Sequence, residues 1–259
     1  MTSWSSRRKL IYGSSTFIGL FLIIGIPIFL IFYKAPTCFD RVMNGDEGGI
    51  DCGGSCVLLC QSSFLPPQIS WGSAKIEKVA DGYYNAAAHI TNQNLNGAAL
   101  NVPYKILLFD DRGILIVEKV GYVDLYAHRN SLAFEPALDV GKRTPSKAIF
   151  EFLRAPNWFK SKDLLEGLAI IDKKYTEDET SSSLEVTLEN KTLFTYKNVA
   201  VSVVLLDSND NAIGFSRTVI DSIAPKNARE KALFTWAKSR NRAVVSIEVM
   251  PMITPIIDR

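Results

Sequence analysis

Two hydrophobic patterns divide this chain. From Leu10 to Tyr33 the residues run LIYGSSTFIGLFLIIGIPIFLIFY without a single charge. Those 24 residues, at about 1.5 Å of rise each, make a helix roughly 36 Å long, enough to cross a hydrocarbon core of about 30 Å. Beyond residue 66 the period changes to two. Leu184, Val186 and Leu188 alternate with Glu185, Thr187 and Glu189, and Val199, Val201, Val203 and Leu205 repeat the pattern, as do Val245, Ile247 and Val249. Short alternating runs broken by Asn, Asp, Gly and Pro predict antiparallel strands. The one place where the pattern admits a helical turn or two is Trp158 to Gly167.

The strands come as a duplicate. HITNQN followed by VPYKILLFDDRGILI lines up with VTLENK followed by VAVSVVLLDSNDNAIGF. On that alignment Asn92 corresponds to Asn190, Asp110 to Asp207 and Phe134 to Phe234, and each copy closes on a strand ending at Pro156 or Pro251. A copy of about 90 residues suits a seven-stranded sandwich. The expected organisation is a cytoplasmic tail at 1–9, a transmembrane helix at 10–33, a cysteine-rich juxtamembrane segment at 34–60 and a Pro-containing linker at 61–66. A first sandwich at 67–160 and a second at 161–259 complete it.

At ILLFD, Ile106 to Asp110, the chain resembles FxLYD-type domains, and VVLLD, Val203 to Asp207, is the second copy of the same strand. Both keep the Leu and the Asp, put a β-branched residue in place of the leading Phe, and carry Phe109 or Leu206 at the Tyr position. The lead-ins ITNQN…VPY and LENKT…NVAV are similar as well, and so are the related WHy domains of late-embryogenesis proteins. The resemblance implies an immunoglobulin-like β-sandwich, frequently carried on bacterial or archaeal membrane proteins, and no catalytic residues. The expected fold class is therefore mainly β: an N-terminal transmembrane α-helix, a small disulfide-rich segment and two tandem immunoglobulin-like antiparallel β-sandwiches.

Charge adds direction. Arg7, Arg8 and Lys9 precede the apolar run, whereas Lys34 and Arg41 come after it more sparsely. Cytoplasmic flanks carry the basic excess, which predicts a cytoplasmic N-terminus and C-terminal domains outside the cell membrane. Tyr12 and Tyr33 lie where amphipathic rings favour the interface, and Pro27 removes one helical hydrogen bond. A cleaved signal peptide shares the basic start, but its apolar region is shorter and ends in a small-x-small site that is absent before Ala35-Pro36. Without Arg7, Arg8 and Lys9 the remainder carries 26 basic against 27 acidic residues. So balanced a surface excludes nucleic acid as a partner, because phosphate binding needs clustered positive charge.

All four cysteines, Cys38, Cys52, Cys56 and Cys60, fall within CFDRVMNGDEGGIDCGGSCVLLC. An even count in a Gly-rich exported loop with little core predicts two disulfides, in any of three connectivities. Zinc on four thiolates is the rival. Asp40, Asn44, Asp46, Glu47 and Asp51 offer oxygen ligands for calcium, without the EF-hand alternation. Asn44, Gly45, Glu47, Asp51, Cys52, Gly53, Gly54, Cys56 and Cys60 also resemble a cysteine-rich segment of secreted and surface proteins, NGxExxxDCGGxCxxC, with one extra residue before the last cysteine. That resemblance implies export.

No reaction is legible. His89 on a strand and His128 in a loop belong to no metal-ligand spacing, and no nucleophile elbow, zincin, P-loop or dinucleotide motif occurs. Asp110 and Asp207 read as turn caps, Glu177-Asp178-Glu179 as an exposed turn, and Asn190-Lys191-Thr192 as a sequon. Trp71, Trp158 and Trp236 read as core aromatics or as a carbohydrate platform. With no catalytic residues, cofactor or metal expected, the sequence predicts a membrane-anchored structural or binding protein of the cell envelope. Its partners are the lipid bilayer and a protein or glycan. The alternative is an accessory subunit of a larger membrane complex, for which Ser15 and Gly19 supply one small-xxx-small pair.

Overall fold

A computed structural model describes residues 4–33, 37–161, 164–237 and 243–253; Lys34 and Ala35-Pro36 lie outside them. Packing divides the chain into two bodies, Met1–Cys56 and Val57–Arg259.

In the first body the apolar run is helical as expected. Helix α1 spans Trp4–Leu20 and α2 spans Ile26–Phe32, joined without a break by a wider π-helical turn, Phe21–Gly25. The cause is Pro27. Its ring displaces the carbonyl one turn back, and the helix widens just ahead of it, so the Ile26 N–H donates to the Phe21 carbonyl. The segment Arg7–Phe29 is long and apolar enough to span a membrane, and none of it is buried against protein. Arg7, Arg8, Lys9, Leu10 and Tyr33 belong to or flank this apolar run, and Leu10 and Tyr33 are exposed.

Among its described residues the cysteine-rich segment has no regular element beyond turns and isolated bridges. Its shape comes from cross-links and from carboxylates that cap backbone N–H groups. Cys38 is bonded to Cys56, Cys52 and Cys60 are disulfide-bonded as well, and no cysteine is free. With every sulfur in a disulfide, thiolate zinc ligation is ruled out. The acidic side chains are turned to local donors. Asp40 accepts from Val42 N–H and Asn44 Nδ2, Asp51 from Arg41 N–H, Asp46 from Ser55 Oγ and Glu47 from Asn44 N–H. Gly54 adopts φ +56°, and a Cβ there would stand 2.1 Å from the Asp46 carbonyl oxygen. Only glycine fits.

The second body holds both sandwiches. In the first, β1 (Gln68–Ile69) and β2 (Lys75–Ala80) form a split edge on β3 (Tyr83–Thr91), whose other side pairs with β6 (Asn130–Asp139). The facing sheet is β5 (Leu115–Leu125), β4 (Gly97–Phe109) and β7 (Lys147–Phe152), with short β8 (Phe159–Lys160) also on β4. The second copy repeats this order. β9 (Leu168–Glu177), β10 (Ser181–Asn190) and β13 (Ala228–Ala237) form one sheet, and β12 (Ala212–Ile223), β11 (Tyr196–Leu206) and β14 (Ser246–Met252) form the other. All pairings are antiparallel. Among the described residues each sandwich has six principal strands rather than seven, and Trp158 to Gly167 holds a short strand and a turn rather than a helix.

The duplication extends to backbone detail. Asp110 Oδ1 accepts the N–H groups of Arg112 and Ile114, and Asp207 Oδ1 those of Asn209 and Asn211. Asn101 and Asn198 both sit at φ 51°, each at the start of the second strand's inner run. The correspondence of Phe134 with Phe234, however, is one residue out of register. Ala86 pairs with Glu135 and Ala87 with Phe134, whereas Leu184 pairs with Phe234. Counting back from Asn92 and Asn190, Glu135 is the true equivalent of Phe234, and Phe134 that of Leu233. A one-residue slip exchanges the two faces of a strand.

Phe234 accordingly packs in its own sandwich core, while Phe134 points out of its own. Glu135 then lies in the first core, where its carboxylate accepts a 2.8 Å hydrogen bond from the Tyr104 hydroxyl. Gly121 makes room: a Cβ there would come within 2.1 Å of Glu135 Oε1. Burial, reinforced by this carboxylate, pushes the Tyr104 hydroxyl pKa well up.

Segment 61–66 is packed rather than extended away from the sandwich. Gln61–Ser63 form a 3-10 turn, Phe64 stacks on Trp158 at 5.9 Å, and Asn94 donates to the Leu65 carbonyl while accepting its N–H.

Candidate functional site

The feature that organises the second body is the seam between its sandwiches. Strand β3 has five consecutive buried residues, Ala86 to Ile90, and β11 buries Val201 through Leu205. An alternating strand with one wet face cannot do this, so both faces of each strand are covered. Ala87, Leu132 and Phe134 from the first sandwich meet Val204, Phe215 and Met250 from the second in a third hydrophobic cluster. Tyr126 goes further. It leaves the first sandwich, packs among the core residues of the second, and accepts the Ile253 N–H at 2.9 Å.

Several polar groups in the seam are bridged across it, although His89 Nδ1 has no partner among the described residues. His89 Nε2 lies 3.0 Å from Glu248 Oε2, and Asn130 Nδ2 donates to the other oxygen at 2.6 Å. Burial raises the Glu248 carboxyl, but these two hydrogen bonds outweigh it and its pKa sits below the ordinary value. Arg217 donates from Nε to Ser202 Oγ at 3.0 Å and through a second guanidinium N–H to the Leu132 carbonyl, with its charge 5.5 Å from the Phe134 ring centroid. Hydrophobic contact and bridging bonds together make the two sandwiches one body.

At the rim of the seam a cleft of about 420 Å³ opens between β2 of the first sandwich and β9, β10, β12 and β13 of the second. Glu77, Tyr175, Glu177, Ser182, Phe215 and Trp236 are among its walls. Glu77 accepts a long hydrogen bond, 3.4 Å, from the Phe215 N–H. Burial pushes its carboxyl up to about 7, and that bond only partly opposes the rise. Trp236 is buried, and its indole N–H has no hydrogen-bond partner among the described residues. A buried donor left in that state costs about 1–3 kcal/mol, which marks the place as unusual in a body whose other buried polar groups are paired almost throughout.

The residues singled out in the sequence are dispersed. His89 is committed to Glu248; His128 is a loop residue at φ 52° whose N–H donates to the Asn94 carbonyl. The three tryptophans occupy three separate clusters, Trp158 in the first core, Trp236 in the second and Trp71 against the seam, so they form no common platform. Glu177 to Glu179 do form the turn before β10, where Asp178 caps the N–H groups of Thr180 and Ser181 and its carboxyl is held down at about 2 by them. Asn190 of the sequon is completely buried, with its amide donating to Phe194 and Ile223 carbonyls. Glu77 was not legible as special, because an alternating edge strand normally turns its acidic residue to water.

No family model matches the chain, and no curated protein matches it. Among solved structures, red sea bream transglutaminase is 10% identical over 73% of this chain and 31% of that one, with a TM-score of 0.23. A putative beta-galactosidase from Bacteroides fragilis is 12% identical over 70% and 34%, TM-score 0.21, and a beta-glucuronidase from glycoside hydrolase family 2 is 10% identical over 85% and 29%, TM-score 0.19. This chain spans about a third of the length of each, and likenesses this slight carry no functional argument.

Proposed function

We propose that this chain is a membrane-anchored, extracytoplasmic structural or binding protein of the cell envelope, and that it is not an enzyme. The observation that carries the reading is the apolar helix Arg7–Phe29, which buries none of its length against protein. A bare surface of that size needs lipid to cover it. The basic flank Arg7, Arg8 and Lys9 supports a cytoplasmic N-terminus. Disulfides at Cys38, Cys52, Cys56 and Cys60 support an oxidising compartment for the chain beyond the helix. The fused pair of sandwiches suits a rigid head that presents loops and edges to a protein or glycan partner. His89 is buried in the seam against Glu248, away from solvent, which supports a structural role for this histidine.

Topology is the test. Protease added to intact cells is expected to digest the C-terminal body, and thiol titration of the denatured protein is expected to find no free sulfhydryl before reduction. A protected C-terminal body with four reactive thiols overturns the proposal. Cross-linking from native membranes then identifies the partner.

A further inference from the structure

We propose that the cleft at the rim of the seam is a binding site for an alkylammonium group, with Glu77 as its counter-ion and Tyr175, Phe215 and Trp236 as its aromatic lining. The argument begins with Glu77. It is partly buried, its hydrogen bond from the Phe215 N–H is a long one, and no cation pairs with it among the described residues. Lys78, beside it in sequence, is committed to Asp81 at 2.7 Å on the exposed side. A carboxyl withdrawn from water without a counter-ion resists ionising, in keeping with its raised pKa. A cation entering the cleft removes that penalty, so the site gains most from a positively charged ligand.

The lining selects which cation. Aromatic rings attract an ammonium through their negative faces, and Glu177 lines the same cleft. At about 420 Å³ the space lies in the ordinary range for a small-molecule site, roughly 300–1,000 Å³. It is formed between two sandwiches that pack against each other through a shared hydrophobic cluster. Two sources of such a cation meet this description: a small alkylamine such as ethanolamine, or a lysine side chain.

The experiment uses the full chain in detergent, with ethanolamine and Nα-acetyl-lysine amide as probes and Nα-acetyl-norleucine amide as the uncharged control. Binding is measured by calorimetry, by the rise in melting temperature, and by the indole N–H resonance of Trp236. At least one ammonium probe is expected to bind saturably and move that resonance, while the norleucine amide does neither. Response to ethanolamine alone assigns a small-molecule ligand, and response to the lysine amide alone a protein partner; each supports the ammonium site. Glu77→Gln is expected to weaken binding by about tenfold or more, with its own melting curve showing that the fold survives. Tyr175→Ala, at the partly buried rim, is a second variant expected to weaken binding without removing the charge. Equal response to the norleucine amide, no saturable binding by any probe, or undiminished binding by a folded Glu77→Gln protein overturns the inference. Membrane orientation does not enter these measurements, so their failure is distinguishable from failure of the proposed topology.

Discussion

Asn92 and Asn190 hold the same corner of two successive sandwiches. Each is buried, each donates both amide hydrogens to carbonyls, and each accepts the N–H of the residue two places on. One acceptor in each case, Tyr126 or Ile223, lies at the end of the fourth strand, so the amide ties a loop to the opposite sheet. Three satisfied bonds inside a core explain why an amide is used where an apolar residue is otherwise expected.

Replacing either with Ala strands buried backbone groups, and each change is expected to cost about 2–4 kcal/mol in urea denaturation. Because Asn190 has no exposed amide, protein expressed through a eukaryotic secretory route is expected to emerge unglycosylated at that position, and endoglycosidase treatment leaves its mobility unchanged.

Phe134 and Leu233 occupy equivalent outward positions, yet Phe134 is covered by the seam and Leu233 is 65% exposed. Phe134→Ala is expected to cost about 3–5 kcal/mol, whereas Leu233→Ala falls within about 0.5 kcal/mol of the parent. Equal effects in denaturant unfolding would sink the assignment of the seam.

Glu77 gives a pH dependence. Its folded pKa, about 7, lies above the ordinary carboxyl value of 4.5. The stability it contributes is therefore complete below about pH 4.5 and is lost as pH rises through 7. Melting temperatures from pH 5 to pH 8 are expected to separate, with Glu77→Gln gaining on the parent up to about pH 7 and the difference levelling off above it. A constant difference between the two proteins counts against the burial of this carboxyl.

Removing the Cys38–Cys56 bridge by paired Ala substitutions is expected to free the acidic turns of residues 37–56 while leaving the sandwich transition in place, since the sandwiches have their own cores. A closed loop of this order contributes about 3 kcal/mol. Limited proteolysis reads the effect as new cleavage within that segment. Non-reducing peptide mapping checks the pairing directly.

Local period and composition were enough for much of what depends on near neighbours: a helix long and apolar enough to span a membrane, disulfides among four cysteines in a coreless loop, and period-two runs repeated at a constant spacing that give two like sandwiches. Asp110 and Asp207 were readable as turn caps because a carboxylate acts on N–H groups two and four residues away. Relations between distant strands had no such signature. The equivalence of Phe134 with Leu233, the disulfide partner of Cys38, the insertion of Tyr126 into the second core and the withdrawal of Glu77 from solvent all depend on which surface meets which. That choice is made by packing between segments apart in sequence, from the 18 residues between Cys38 and Cys56 to the 127 between Tyr126 and Ile253, and alternation along one strand carries no record of what covers its outer face.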